Sequence, residues 1–357
     1  MLHKPFYDPQ KSYEDNYDSG PFGTFIDGRI FNQTGEPNNV FLGQKVYLPF
    51  GIPAGPILNS NFVKSSFEKG FDLVVYKTVR SLYYPCHPFP NVLSVDVDQL
   101  TLERAKQPLI ADTTYKEPLS ITNSFGVPSK EPAVWQEDVK KAISYEGKGQ
   151  ALILSFMGTV KEHQTEKEFI DDFVLAARLS LETGAKLLEV NLSCPNIGNE
   201  GLVCYNDTVS EKVLKGIKKT IGDIPLIVKI GYFDDGDKLK GFIKQTAPYA
   251  DAYSAINTIA APVVDKNGEQ ALPGNPVRFR SGICGASIKW AGLDMVKRLN
   301  RIRSDSNYSY RIIGVGGITQ PEDYFEARNA GADAVMSATG AMWNPFLAQE
   351  VKTLKKS

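Results

Sequence analysis

At 357 residues the chain is long enough for two ordinary domains or for one large barrel, and only the order of its elements decides between them. A hydrophobic share of 42% with 23% charged residues describes a soluble globular protein with a sizeable core. The net charge of −1, from 40 basic and 41 acidic side chains, offers no electrostatic footprint for nucleic acid or a membrane surface. The four cysteines, Cys86, Cys194, Cys204 and Cys284, form no Cys-x-x-Cys pair, which argues against zinc-ribbon and cysteine-ligated iron–sulfur sites and for free thiols in a reducing compartment. No apolar run approaches a membrane span, and residues 1–23 are rich in Tyr, Asp, Pro and Gly where a signal peptide would be apolar; the expectation is a cytoplasmic protein with no membrane contact.

In chain order, the first forty or so residues show neither helical nor strand period and predict an irregular arm, residues 1–45, ahead of a body spanning 46–357. Residues 40–48 predict a short hairpin turning at Gly43-Gln44. Alternation then sets in: a strand at 50–54, a helix at 61–69 stopped by Gly70, and a strand at 71–77 that finishes in Lys77. Residues 78–129 break the pattern with many prolines, an alternating piece at 92–97, and Asn123-Ser124-Phe125-Gly126-Val127-Pro128. An excursion of this length reads as a functional loop or small subdomain on the catalytic face, or as a plain exposed insertion.

The alternation resumes with a helix at 131–144, a strand at 151–156, and a helix opened by a Thr165/Glu168 capping box and stopped by Gly184. That helix feeds the apolar run Leu187-Leu188-Glu189-Val190-Asn191-Leu192, which ends in Ser193-Cys194-Pro195-Asn196. Further strands are predicted at 225–230, 252–257, 311–315 and 333–337, with helices before each. Residues 261–285 read as a polar loop, and Thr319/Glu322 has capping-box spacing. Eight strands alternating with helices favour one α/β (β/α)8 TIM barrel, carrying an irregular N-terminal arm and a long insertion after strand two, over a doubly wound sheet.

On that scaffold Lys77, Asn191, Lys229 and Asn257 fall at or near the C-terminal ends of their strands, where barrels do chemistry. Glycine-rich turns, 314–317 and 337–340, follow strands seven and eight, the usual phosphate position, although such turns also occur for tightness alone. A strand-terminal lysine can simply be solvated; two of them beside a phosphate turn suggest a cofactor that develops negative charge. His3, His87 and His163 all lie away from strand ends, so Cys194 is the candidate base, provided its surroundings favour the thiolate. Read structurally, it would be a small buried residue.

The hexapeptide Asn191-Leu192-Ser193-Cys194-Pro195-Asn196, with Tyr76-Lys77-Thr78, Asn123-Ser124-Phe125-Gly126, Val228-Lys229, Asn257-Thr258 and Gly314-Val315-Gly316-Gly317-Ile318, resembles the dihydroorotate dehydrogenases, FMN-dependent (β/α)8 enzymes of pyrimidine synthesis. The matches run in order over residues 50–347. The resemblance implies that Asn123, Asn191, Asn196, Asn257 and Thr258 hold dihydroorotate or orotate, with Phe125, Gly126 and Val127 beside them. Lys77 would stand between flavin and substrate, and Lys229 near the flavin N1–C2=O edge. Ala54, Gly55, Thr78, Asn191, Gly282 and Gly285 would line the FMN, and Gly316, Gly317, Ala338 and Thr339 would surround its phosphate. Cys194 would remove the C5 proton as hydride leaves C6 for flavin N5. Cysteine there resembles the soluble class 1 enzymes, whereas membrane-bound, quinone-using members carry serine.

The arm is longer than in compact soluble members, and Cys284, Ala338 and Thr258 depart from the commoner residues. A homodimer is the default expectation. A dihydropyrimidine dehydrogenase-like FMN enzyme is the nearest rival, although that family tends to have His where Asn196 stands and uses iron–sulfur modules. A non-catalytic FMN- or nucleotide-binding barrel would have no need of a thiol base.

Overall fold

The computed structural model describes residues 2–193, 201–274 and 278–354; Cys194 and Asn196 lie outside the described residues. The apolar runs become parallel strands because both faces of each are covered, one by the barrel interior and one by helices. They are β1 (Phe50–Ile52), β2 (Leu73–Val79), β3 (Ala151–Phe156), β4 (Leu188–Asn191), β5 (Leu226–Ile230), β6 (Ala252–Ala255), β7 (Arg311–Val315) and β8 (Ala334–Met336). Each pairs in parallel with the next, and β8 returns to β1, closing the expected barrel.

The outer ring is α1 (Ser60–Glu68), α2 (Pro132–Ile143), α3 (Glu166–Leu181), α4 (Asp207–Ile221), α5 (Gly236–Thr246), α6 (Lys289–Asp305), α7 (Pro321–Asn329), α8 (Thr339–Trp343) and α9 (Leu347–Thr353). The capping box of α3 forms as read: Glu168 accepts from the Thr165 N–H at 2.8 Å, and Thr165 Oγ1 accepts from the Glu168 N–H. At α7 the box sits one residue later than the Thr319/Glu322 spacing suggested. Asp323 takes the backbone N–H of Thr319 and Gln320, because its carboxylate is also fixed by Lys289 at 2.6 Å.

Inside the barrel, alternate strand residues such as Leu73, Val75, Ile153, Leu187, Ile227, Ile313 and Met336 form one apolar cluster. Phe41 and Val46 join that cluster from the hairpin Asn39–Phe41/Gln44–Val46, which plugs the N-terminal mouth just ahead of β1. Its turn is Leu42-Gly43, both with positive φ, one residue earlier than Gly43-Gln44; two such residues match the right-handed twist of a tight hairpin. The arm is less irregular than its sequence suggested. Tyr13–Ser19 is a helix, with Ser12 Oγ accepting from the Asp15 N–H at 3.0 Å, and Gly23–Ile26 is a 3-10 turn. Its aromatic residues pack inward, Phe6 against Phe25 and Phe62.

The two interruptions of the repeat meet each other. Strands Val92–Val95, Leu109–Asp112 and Ser120–Asn123 come from the insertion after β2, and Ile259–Val264 and Arg280–Gly285 from the segment after β6; together they close a small five-stranded sheet. Residues 261–285 are therefore two strands with a connection, not a continuous loop. Pro262 and the polar glycine-containing middle hid the alternation of Ile259, Ala261 and Val263, which are buried.

Candidate active site

Strand β2 ends irregularly. Its register with β3 shifts between Tyr76 and Val79, and the Lys77 N–H turns to Ile57 O at 3.0 Å instead of continuing the ladder. Such a bulge re-aims a side chain. Lys77 Nζ donates to Thr78 O at 2.9 Å and to Pro128 O, tying the strand end to the insertion. Burial, with Arg80 nearby adding to it, pulls the Lys77 pKa down to about 7. Thr78 Oγ1 shares a hydrogen bond with Ser155 Oγ at 3.0 Å.

The segment after Ser120–Asn123 reverses through Gly126 and Val127, both with positive φ. Arg80 holds this turn in place, donating to Val127 O at 2.9 Å and Gly126 O at 3.0 Å. Asn123 Nδ2 donates to Cys284 Sγ at 3.4 Å, while Ser281 Oγ donates to the Asn123 carbonyl at 2.8 Å. The second insertion thus fixes a residue of the first. Burial pushes the Cys284 thiol up, so it stays protonated.

From the barrel itself come Asn191 at the end of β4 and Lys229 on β5, opposite each other in register, and Asn257-Thr258 just beyond β6. Asn191 Oδ1 accepts from the Ser193 N–H at 3.0 Å, a local turn that leads the chain toward Cys194. Lys229 is 3% exposed, and its Nζ has no hydrogen bond or direct ion pair among the described residues. Burial draws its pKa down from the usual lysine range, opposed by Glu189 on the neighbouring strand. A Cβ on Gly282 would stand 2.5 Å from Thr258 Oγ1, so only glycine lets Thr258 sit there.

These groups line one cavity of about 360 Å3 at the C-terminal mouth. Ala54, Gly55, Lys77, Thr78, Asn123, Phe125, Gly126, Val127, Asn191, Lys229, Asn257, Thr258, Gly282, Ala338 and Thr339 all reach it. Gly285, Gly316 and Gly317 do not line it. A Cβ at Gly317 would meet the Lys289 backbone at 2.2 Å, and one at Gly285 the Leu119 carbonyl at 2.2 Å, so close packing accounts for these glycines.

A family model described as dihydroorotate dehydrogenase matches residues 39–356. The chain belongs to the dihydroorotate dehydrogenase family. It is 39% identical over 363 residues, 98% of this chain and 97% of the relative, to a dihydroorotate dehydrogenase of Dictyostelium discoideum. It is 28% identical over 264 residues, 72% of this chain and 78% of the relative, to the catalytic subunit of a dihydroorotate dehydrogenase B (NAD(+)) of Brachyspira hyodysenteriae. The corresponding subunit of Solidesulfovibrio magneticus is 33% identical over 180 residues, 50% of this chain and 56% of the relative. The family is one of oxidoreductases, and the arm of this member is covered by the Dictyostelium match.

Several residues on the cavity wall carry no signal in the sequence. Tyr7 and Tyr13 reach it from the arm, and Arg280 and Ser281 from the strand that looked like loop; Cys284, noted in the sequence as a departure from the family pattern, reaches it from the same strand. Tyr7 packs edge-on to Phe125 with ring centroids 5.5 Å apart, and nothing in residues 1–20 beyond their aromatic content marks that role. No cluster of metal-ligating side chains occurs, and no helix is long and apolar enough to cross a membrane, among the described residues.

Proposed function

We propose that this chain oxidises (S)-dihydroorotate to orotate with FMN as its cofactor, in the manner of the class 1 enzymes. The observation that carries the reading is convergence: Lys77, Asn123, Asn191, Lys229 and Asn257-Thr258 come from five separate segments and line one cavity in a chain of this family. Amide side chains can satisfy every edge of a planar, polar ring, and a ligand lacking those edges would leave buried amides unpaired. Asn123, Asn191, Asn257 and Thr258, with Asn196, are assigned to the pyrimidine ring and its carboxylate. Phe125, Gly126 and Val127 close the substrate side.

The cavity suits a flavin because Lys229 offers a buried ammonium group, unbonded among the described residues, to an electron-rich edge. Ala54, Gly55, Thr78 and Gly282 supply a wall with little bulk, and Ala338 and Thr339 are assigned to the phosphate end. A bound flavin supplies the two-electron acceptor that takes hydride from C6 of the substrate. Cys194, three residues beyond Asn191, takes the C5 proton as a thiolate, leaving the C5=C6 double bond. Lys77, which lines the same cavity, is assigned a place between substrate and cofactor, where its ammonium group would hold charge.

The test uses the purified chain loaded with FMN. Dihydroorotate is expected to bleach the flavin and dihydrouracil to leave it oxidised; the reverse preference selects a dihydropyrimidine dehydrogenase-like activity, and a protein that never takes up FMN rejects an FMN enzyme altogether. Cys194→Ala is expected to remain yellow and lose at least about a hundredfold in turnover, the range for removal of a general base. Full turnover in that variant would place the base elsewhere.

A further inference from the structure

Glu189 lies in the middle of β4, fully buried, and neither carboxylate oxygen has a hydrogen-bond partner among the described residues. It follows Leu187 by two residues, and Leu187 belongs to the apolar cluster inside the barrel, so strand alternation places Glu189 inside as well. In register it faces Ile227 on β5 and Ser155 on β3; Lys229 is two residues further along β5, on the same interior side as Ile227. An ionised carboxylate sealed in apolar surroundings is strongly disfavoured unless an opposite charge answers it. Among the described residues, Lys229 is the one opposite charge acting on Glu189, and Glu189 the one charge acting on Lys229.

We propose that Glu189 is a positioning residue whose buried carboxylate, one layer below the cavity, keeps the Lys229 ammonium group charged and available to the ligand above it. The proposal rests on the reading that Lys229 serves a bound flavin, and it adds the residue that maintains its charge. Among the described residues the other groups packed around the pair are neutral: Ser155 from β3, its hydroxyl shared with Thr78 yet near enough to Glu189 to favour the ionised carboxylate, and Ser254 from β6, in register with Lys229 and with a hydroxyl that has no partner there. Lys77, on β2 in the same mouth, has Arg80 and Cys86 as its charged or titratable neighbours, not Glu189. Burial drives both members of the pair toward their neutral forms; Lys229 is held back by Glu189, and Glu189 by Lys229 first and the Ser155 hydroxyl second. Removing the carboxylate leaves Lys229 buried with no counter-charge, the condition under which lysines lose their proton near neutral pH.

The test is a carbon-13 NMR titration of the lysine Cε signals in the full chain, with Lys229 assigned by its absence in Lys229→Met. Glu189→Gln is expected to lower the Lys229 titration midpoint by about one pH unit or more. Ser254→Ala, an uncharged change in the same layer, is expected to leave it in place. An unmoved midpoint in Glu189→Gln, or an equal shift in Ser254→Ala, overturns the proposal. Should Glu189→Gln fail to fold, the parent protein decides: a neutral Glu189 carboxyl or a neutral Lys229 amine at pH 7 overturns it, and the charged pair supports it. FMN uptake by the parent is scored separately, so failure of the flavin reading is distinguishable from failure of the charge pair. In FMN-loaded protein, reduction of Glu189→Gln should take up about one more proton per two electrons than the parent near neutral pH, because Lys229 then starts neutral; equal proton uptake counts against the proposal.

Discussion

Lys77 is a residue whose environment makes a quantitative demand. Among the described residues its ammonium group bonds to the carbonyl oxygens of Thr78 and Pro128 alone, and burial, with Arg80 nearby, brings its pKa to about 7. An anionic ligand set beside it favours the charged form, so binding above that pH must draw in a proton. Orotate affinity is therefore expected to fall as pH rises from 6 to 9, approaching about tenfold per unit above the midpoint. Calorimetry in buffers of different ionisation enthalpy checks this directly, and pH-independent binding with no proton uptake would contradict it. The same shift acts on stability with a definite sign. Between about pH 7 and the ordinary lysine value, the unfolded chain binds the proton that the folded chain has released, so this group's contribution to stability rises with pH across that window.

At the scale of elements, the hairpin Asn39–Phe41/Gln44–Val46 does the work of a bottom layer for the barrel. Phe41 is 2% exposed and Val46 fully buried, and both lie in the interior cluster with Leu73, Ala151 and Leu187. Phe41→Ala should cost about 3–5 kcal/mol, the range for truncating a buried phenylalanine, measured by urea unfolding. A cost below about 1 kcal/mol would mean that the barrel closes its own floor. The barrel strands were legible in the sequence because strands covered on both faces are nearly continuous apolar runs, and the polar residues at their ends stand out against that background. Of the five small strands above the mouth only Val92–Val95 showed in the sequence, as the alternating piece at 92–97; Leu109–Asp112 alternates buried and exposed, and Pro262 interrupts Ile259–Val264. Glu189 was equally hidden. It reads as one polar letter in an apolar run, and only closure of the barrel reveals that it faces inward, below Lys229.

For the molecule as a whole, the arm decides whether the cavity has a complete wall. Phe6, Tyr7, Tyr13 and Phe25 are each 5% exposed or less, and the Phe6 N–H bonds to Met342 O at 3.0 Å, joining the start of the chain to α8. Tyr7 and Tyr13 then reach the cavity beside Phe125. Aromatic side chains bury more area than any others, so losing four of them removes several kcal/mol of packing as well as one side of the site. A chain beginning at Gly28 is expected to melt at least about 5 °C lower than the full chain. It should also bind orotate more weakly, because Phe125 loses the two rings that hold it edge-on, leaving its segment to the His87 N–H on Phe125 O, to Arg80, and to Lys77 through Pro128. Calorimetric melting and orotate titration of the two proteins separate the contributions. A lower melting temperature with unchanged affinity would make the arm a brace for the fold, and unchanged values of both would make it an appendage; the contacts of Tyr7 and Tyr13 require that both change.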